Sequence, residues 1–131
     1  MNGGSISIPI SPGELIDKIA ILAIKSERMT EPGKLENVRA ERALLEASLA
    51  EAGAGSKELD DLTAELKRVN ETLWEIEDEI RLCEKAQDFG PRFIELARSV
   101  YRTNDRRADI KRQINELLGS RILEEKSYQP Y

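Results

Sequence analysis

The sequence predicts an all-α fold, an antiparallel helical bundle in which a short N-terminal helical hairpin packs on a long, coiled-coil-like hairpin. Within residues 57–87, and again within 93–117, mostly apolar residues recur at alternating spacings of three and four, which is typical of helices that share a buried seam. A break at 89–91 lets one ladder fold back on the other. The composition agrees, because 40% hydrophobic and 34% charged residues suit helices with one buried stripe, and 131 residues suffice for one domain.

The start of the first helix is marked in the sequence. Ser11 is the expected N-cap, Pro12 suits the first helical position, and Glu14 is placed to complete a capping box. This helix should run to about Met29. Its centre, 19–24, is apolar on every side, which predicts that it is the most enclosed helix of the bundle.

The remaining elements follow from breaks in the periodicity. A Pro-Gly pair at 32–33 precedes a second helix with one apolar stripe, and a glycine-rich turn at 52–56 precedes the long hairpin. Gly119 ends the last helix, since glycine is favoured just past a final turn. The predicted single domain therefore contains an extended arm laid on the bundle (1–11), a short hairpin (12–52), a long hairpin (57–118) and an extended tail (120–131).

Polar residues interrupt the seam of the last helix, where Arg107 occupies a position that favours leucine. One interpretation is an anion-binding pocket, because guanidinium groups bind carboxylate or phosphate in bidentate fashion. The other is that polar seam residues fix the helix register and that Asp17 or Glu77 balances the buried charge. The candidate anion-binding residues are Arg42, Trp74, Asn104 and Arg107.

The two hairpins differ in length, because the third helix should extend about 46 Å and the first two under about 30 Å each. The half of the long hairpin near its 89–91 turn should therefore stand clear of the short one. Apolar residues off the seam in that half predict a contact surface, and we expect a homodimer, with another protein or local packing of the arm or tail as alternatives. The candidate interface residues are Leu82, Ile94, Ala97 and Tyr101.

Composition disfavours several functions. The chain has no histidine and one cysteine, Cys83 at a seam position, so the usual triads, imidazole metal sites and internal disulfides are excluded. A net charge of -5 argues against nucleic acid and anionic membranes as partners, and the apolar run 19–24 is too short to span a bilayer. Acidic residues within 71–79 share one helix face and match a Mg²⁺ site weakly. We interpret this face as a charged surface exposed to water. We expect a cytoplasmic protein without metal or cofactor.

The first helix also favours an alternative function. Residues 14–29, with the Ile16-Asp17 pair, are similar to the first helix of all-helical chorismate mutases, which implies a small enzyme with an Arg-lined pocket. The likeness departs at Gly13, where that family has an arginine, and at Pro32, where that family continues as one long helix.

A broader resemblance covers nearly the whole chain. Four blocks occur in order, SPGELIDKIAILAIKSERM, LWEIEDEIR, FIELARSVYRTNDRRADIKRQIN and GSRILEEKSY. Together they resemble a family of small all-helical bacterial proteins of uncharacterised function, a domain of unknown function. This resemblance implies a bacterial, cytoplasmic, helical protein and supplies no catalytic residues. We therefore predict a non-catalytic interaction or structural module.

Overall fold

The computed structural model describes residues 3–53, 55–123 and 125–131, and four α-helices account for most of them, with no strand among the described residues. The predicted all-α bundle is confirmed. Parts of the predicted arm (Met1 and Asn2), turn (Ala54) and tail (Glu124) lie outside the described residues. The helices are α1 (Pro12–Arg28), α2 (Pro32–Glu51), α3 (Lys57–Lys85) and α4 (Pro91–Leu117).

The N-terminus of α1 has the predicted cap. Ser11 is extended, and its Oγ accepts a hydrogen bond from the backbone N–H of Glu14 at 3.2 Å, with Pro12 as the first helical residue. Such a cap contributes about 1 kcal/mol to helix stability. The predicted capping box is not formed among the described residues, and the carboxylate of Glu14 accepts a hydrogen bond from Lys111 of α4. The arm leading to this cap leaves Ile6 exposed, contrary to the prediction of a packed arm.

The central element is α1, which packs against α2, α3 and α4. Its buried face includes Ile16 and Ile24, and the full burial of an isoleucine side chain contributes about 1.5–3 kcal/mol. Ile16 belongs to the core cluster together with seam residues of the long hairpin such as Leu66 and Ile114. The prediction that the first helix is the most enclosed one is confirmed.

The second helix covers α1 from one side. Val38 is its buried residue, and other members of the predicted stripe, such as Leu35 and Leu45, are half-buried. Leu44 points away from the bundle and is 60% exposed. Because α2 contributes so little to the core, its packing depends on the apolar surface of α1.

The long hairpin extends beyond the short one. Within the described residues, Ile76 is the last buried residue of α3 and Leu96 is the first buried residue of α4. The last residue of α1, Arg28, pairs with Glu75 at 3.3 Å, so α1 ends just where the hairpin begins to stand alone. We call residues 77–101 the projecting half.

The C-terminal tail docks on α4. A Schellman motif ends that helix, since Gly119 has a φ of 64° and the N–H of Ser120 donates to the carbonyl of Asn115 at 2.8 Å. The tail then runs back along α4, where the hydroxyl of Tyr131 donates to Asp105 at 2.6 Å. Its ring also contacts that of Tyr101, with 5.1 Å between centroids.

Candidate functional site

The most unusual feature of the interior is a buried carboxylate on α1. Asp17 is 0% exposed and accepts hydrogen bonds from the Nδ2 of Asn70 at 2.8 Å and from the Nε of Arg107 at 3.0 Å. The Nη2 of Arg107 also donates to the second carboxylate oxygen. A charge removed from water in this way persists only when it is paired and hydrogen-bonded. Asp17 therefore ties α1 to both α3 and α4 through one side chain.

A second ion pair lies one turn earlier on α1. The Nζ of Lys111 is 2.6 Å from the Oε2 of Glu14 and 4.0 Å from the Oδ2 of Asp17, and Lys111 is itself buried. Two acidic groups of α1 thus face two basic groups of α4. We call Glu14, Asp17, Arg107 and Lys111, together with Asn70, the ionic cluster.

Close backbone contact between α1 and α4 makes this cluster possible. The N–H of Gly13 donates to the Oδ1 of Asn115 at 2.8 Å, and a Cβ at position 13 would lie 2.5 Å from the carbonyl oxygen of Lys111. No side chain fits there. This explains the departure from the chorismate mutase pattern, because an arginine at position 13 would force α1 away from α4.

The structure brings together two of the four candidate anion-binding residues. Arg107 and Asn104 line one cavity of about 240 Å³ together with Lys111 and the tail residue Lys126. The charge of Arg107 is balanced by Asp17, which is the arrangement expected if it fixes the helix register.

The other two candidates lie elsewhere. Arg42 is on α2, where it donates to Glu46 at 2.8 Å and to Ser26 at 3.2 Å, and it lines a separate groove beside Lys67. Trp74 is half-buried on α3 and does not line the cavity that Arg107 and Asn104 share.

The four candidate interface residues fall on two flanks of the projecting half. Ile94, Ala97 and Tyr101 continue, at helical spacing, the flank of α4 that meets α1 through Lys111. We call this the inner flank. Asn70 is the residue of α3 that bonds Asp17 of α1, and Leu82 lies twelve residues after it, which is a rotation of about 120° around the helix, so Leu82 belongs to the outer flank. Ile94 is 55% and Leu82 63% exposed, while Tyr101 contacts the tail.

Sequence reasoning missed a third arrangement, which the tail creates. All three tyrosines of the chain, Tyr101, Tyr128 and Tyr131, line a cavity of about 720 Å³ between the tail and α4. Asn104 and Lys126 line it too. Two tyrosines within the last four residues were an available signal, but the sequence does not show which helix they meet.

Several kinds of site are not found among the described residues. No group of three or more His, Cys, Asp or Glu side chains there is arranged to hold a metal ion. None of the four helices is long and apolar enough to cross a membrane. Cys83 is half-buried at the predicted seam.

The helices and the ionic cluster define an all-α bundle with a projecting hairpin, in which charged side chains join the central helix to its neighbours. More particularly, the chain belongs to a family of unknown function (DUF6165), whose model matches residues 6–131. This match confirms the family resemblance of the four sequence blocks. The comparisons with curated proteins and with solved structures gave no match.

Proposed function

We propose that the chain acts in the cytoplasm as a protein-interaction module, by contact and not by catalysis, and that it forms a homodimer through the inner flank of the projecting half. The observation that supports this proposal is the exposure of Ile94, next to Ala97, on the inner flank of α4. Nearer the C-terminal end of α4, around Lys111, the same flank is covered by α1. A flank that is buried along one half of a helix and bare along the other is incomplete as a core surface.

Charge favours a second copy of the chain as the occupant of this flank. Residues 77–85 of α3 contain four acidic and two basic side chains, whereas 91–102 of α4 contain one acidic and three basic side chains. A two-fold axis would place the acidic segment of each copy beside the basic segment of the other, so the surface is complementary to itself. Such exposed charges direct orientation more than they add affinity.

An enzymatic role has less support. The Arg-lined pocket of the alternative hypothesis needs Arg42 and Arg107 in one cavity, and they line different ones. The carboxylate of Asp17 already occupies two donors of the Arg107 guanidinium.

The solution molar mass tests the proposal. Light scattering after size exclusion, over about a hundredfold dilution range, should give twice the chain mass at the higher concentrations. The variant Ile94→Glu places a charge in the proposed interface and should shift the chain to the monomer.

Two matched controls separate the interface from a general effect of added charge. Leu44 of α2 is 60% exposed outside the projecting half, and Leu82 lies on its outer flank. The variants Leu44→Glu and Leu82→Glu should therefore keep the molar mass of the unmodified protein. A monomer at every concentration would refute the dimer, and dissociation by Leu82→Glu alone would move the contact to the outer flank.

A further inference from the structure

The cavity between the tail and α4 brings aromatic rings and one carboxylate together. Tyr101 and Asp105 enter it from α4, and Tyr128 and Tyr131 enter it from the tail. It is an open groove, because Tyr128 and Tyr131 are 78% and 77% exposed, and its volume of about 720 Å³ is large enough to hold a small molecule. The self-association surface proposed above does not account for this cavity.

The ring geometry suits a positively charged ligand. The faces of aromatic rings carry partial negative charge, and they attract ammonium groups that approach within about 6 Å of the ring centroid. The rings of Tyr101 and Tyr131 contact each other, with 5.1 Å between centroids and an angle of 58° between planes, so they line the same wall of the cavity. Asp105 adds a formal negative charge beside this wall, where its carboxylate accepts a hydrogen bond from the hydroxyl of Tyr131 at 2.6 Å.

The structure already contains one ammonium group against the third ring of the cavity, that of Tyr128. The Nζ of Lys126 lies 5.6 Å from the ring centroid of Tyr128. Lys126 lines the same cavity. A side chain of the tail therefore makes, within the molecule, the type of contact that an external cation would make.

A polar side chain in the same cavity is available to a ligand. The amide of Asn104 lines the cavity, and no hydrogen bond joins it to another of the residues that the structure describes. It is half-buried, and it offers a donor and an acceptor to a ligand. The net charge of -5 favours the approach of cations over that of anions.

We propose that this cavity binds a small organic ammonium group, which the rings of Tyr101 and Tyr131 and the carboxylate of Asp105 contact directly. Lys126 is the internal cation that competes with the ligand. The proposal does not require the dimer. Tyr101 belongs to both the inner flank and the cavity, whereas Asp105, Tyr128 and Tyr131 belong to the cavity alone, and the proposed interface is centred on Ile94.

Titration with tetramethylammonium chloride, followed by NMR, tests the site. Resonances of Tyr101, Asn104 and Tyr131 should shift saturably with a millimolar dissociation constant, relative to sodium chloride at the same ionic strength. tert-Butanol has a similar shape without the charge and should bind at least about fivefold more weakly.

Four variants test whether each side chain strengthens or weakens tetramethylammonium binding. Tyr101→Leu and Asp105→Asn should each weaken tetramethylammonium binding by about fivefold or more, because the first removes an aromatic face from the cavity and the second removes its carboxylate charge. Lys126→Gln should strengthen it, since the competing cation is gone. Lys85→Gln removes an exposed lysine at the end of α3 and should change nothing.

Three results would overturn the proposal. Binding of tert-butanol as tight as that of tetramethylammonium would show that apolar contact, and not charge, drives binding. Binding of benzoate in preference to tetramethylammonium, lost in Lys126→Gln, would make it an anion site. Shifts that do not saturate, or that persist in Tyr101→Leu, would show that tetramethylammonium has no specific site in the cavity.

Discussion

Gly13 and Asn115 hold the N-terminus of the central helix against the last helix, through a backbone-to-side-chain hydrogen bond of 2.8 Å between residues 102 positions apart in sequence. The same contact removes all space for a Cβ at position 13. The position of α1 therefore depends on the missing side chain of Gly13 as much as on the ion pairs of the ionic cluster.

We expect Gly13→Ala to destabilise the fold, although alanine is the better helix former. The new methyl group would meet the carbonyl oxygen of Lys111 at 2.5 Å, and such overpacking costs about 1–3 kcal/mol. Urea denaturation measures the change. Gly33→Ala is the matched control, because only the end of the Glu31 side chain lies near, at 4.0 Å, and it should be neutral or slightly stabilising. Equal effects of the two substitutions would contradict the close contact.

Asp17→Asn should be among the most destabilising single substitutions in the chain. It leaves the Arg107 guanidinium without its buried carboxylate, and breaking a buried pair from one side costs about 3–5 kcal/mol. Glu75→Gln removes an exposed partner of Arg28 and should cost under about 1 kcal/mol. Chemical denaturation of both variants at the same pH gives the comparison. A loss for Asp17→Asn as small as that for Glu75→Gln would show that the cluster contributes no stability.

The contact between Glu27 and Lys67 should depend on pH in the acid range. The hydrogen bond from Lys67, at 2.5 Å, is the main cause that lowers the pKa of Glu27 from its ordinary 4.5. A lowered folded-state pKa stabilises the fold above pH 4.5, and this contribution is lost as the pH falls through the folded-state value. Glu27→Gln should therefore be less stable than the unmodified chain at neutral pH, and the difference should vanish in acid. A constant difference would refute the linkage.

Tail docking should weaken in alkali. The hydrogen bond to Asp105 is the main cause that raises the pKa of Tyr131 above its ordinary 10.0. A raised folded-state pKa means that the contact contributes fully below pH 10.0 and is lost as the pH rises through the folded-state value. NMR titration of the labelled phenol should show the raised pKa of Tyr131, and Asp105→Asn should lower it. An unchanged titration in Asp105→Asn would show that another group causes the shift.

Local signals in the sequence predicted the helices well. The cap at Ser11 and the stop at Gly119 are properties of a few adjacent residues, so they can be recognised without tertiary structure. The apolar seam likewise indicates which faces are buried, as Leu66 and Ile110 show.

Contacts between helices were harder to predict. Periodicity places Arg107 on an inward face but does not choose between Asp17 and Glu77 as its partner, because both lie within reach in an idealised bundle. The choice follows from the crossing of α1 over the hairpin, which Gly13 permits. The tyrosine cavity depends on the path of the tail, and extended segments have no periodicity that fixes their partner.

The order in which the chain is synthesised has a consequence for the central helix. The helix with the most buried residues, α1, is made before α4, which carries its partners around Asn115. During translation α1 can associate early with α2, but its face toward α4 stays exposed until α4 has left the ribosome. Such delayed pairing leaves apolar surface of α1 open to aggregation for the time that it takes to make α2, α3 and α4.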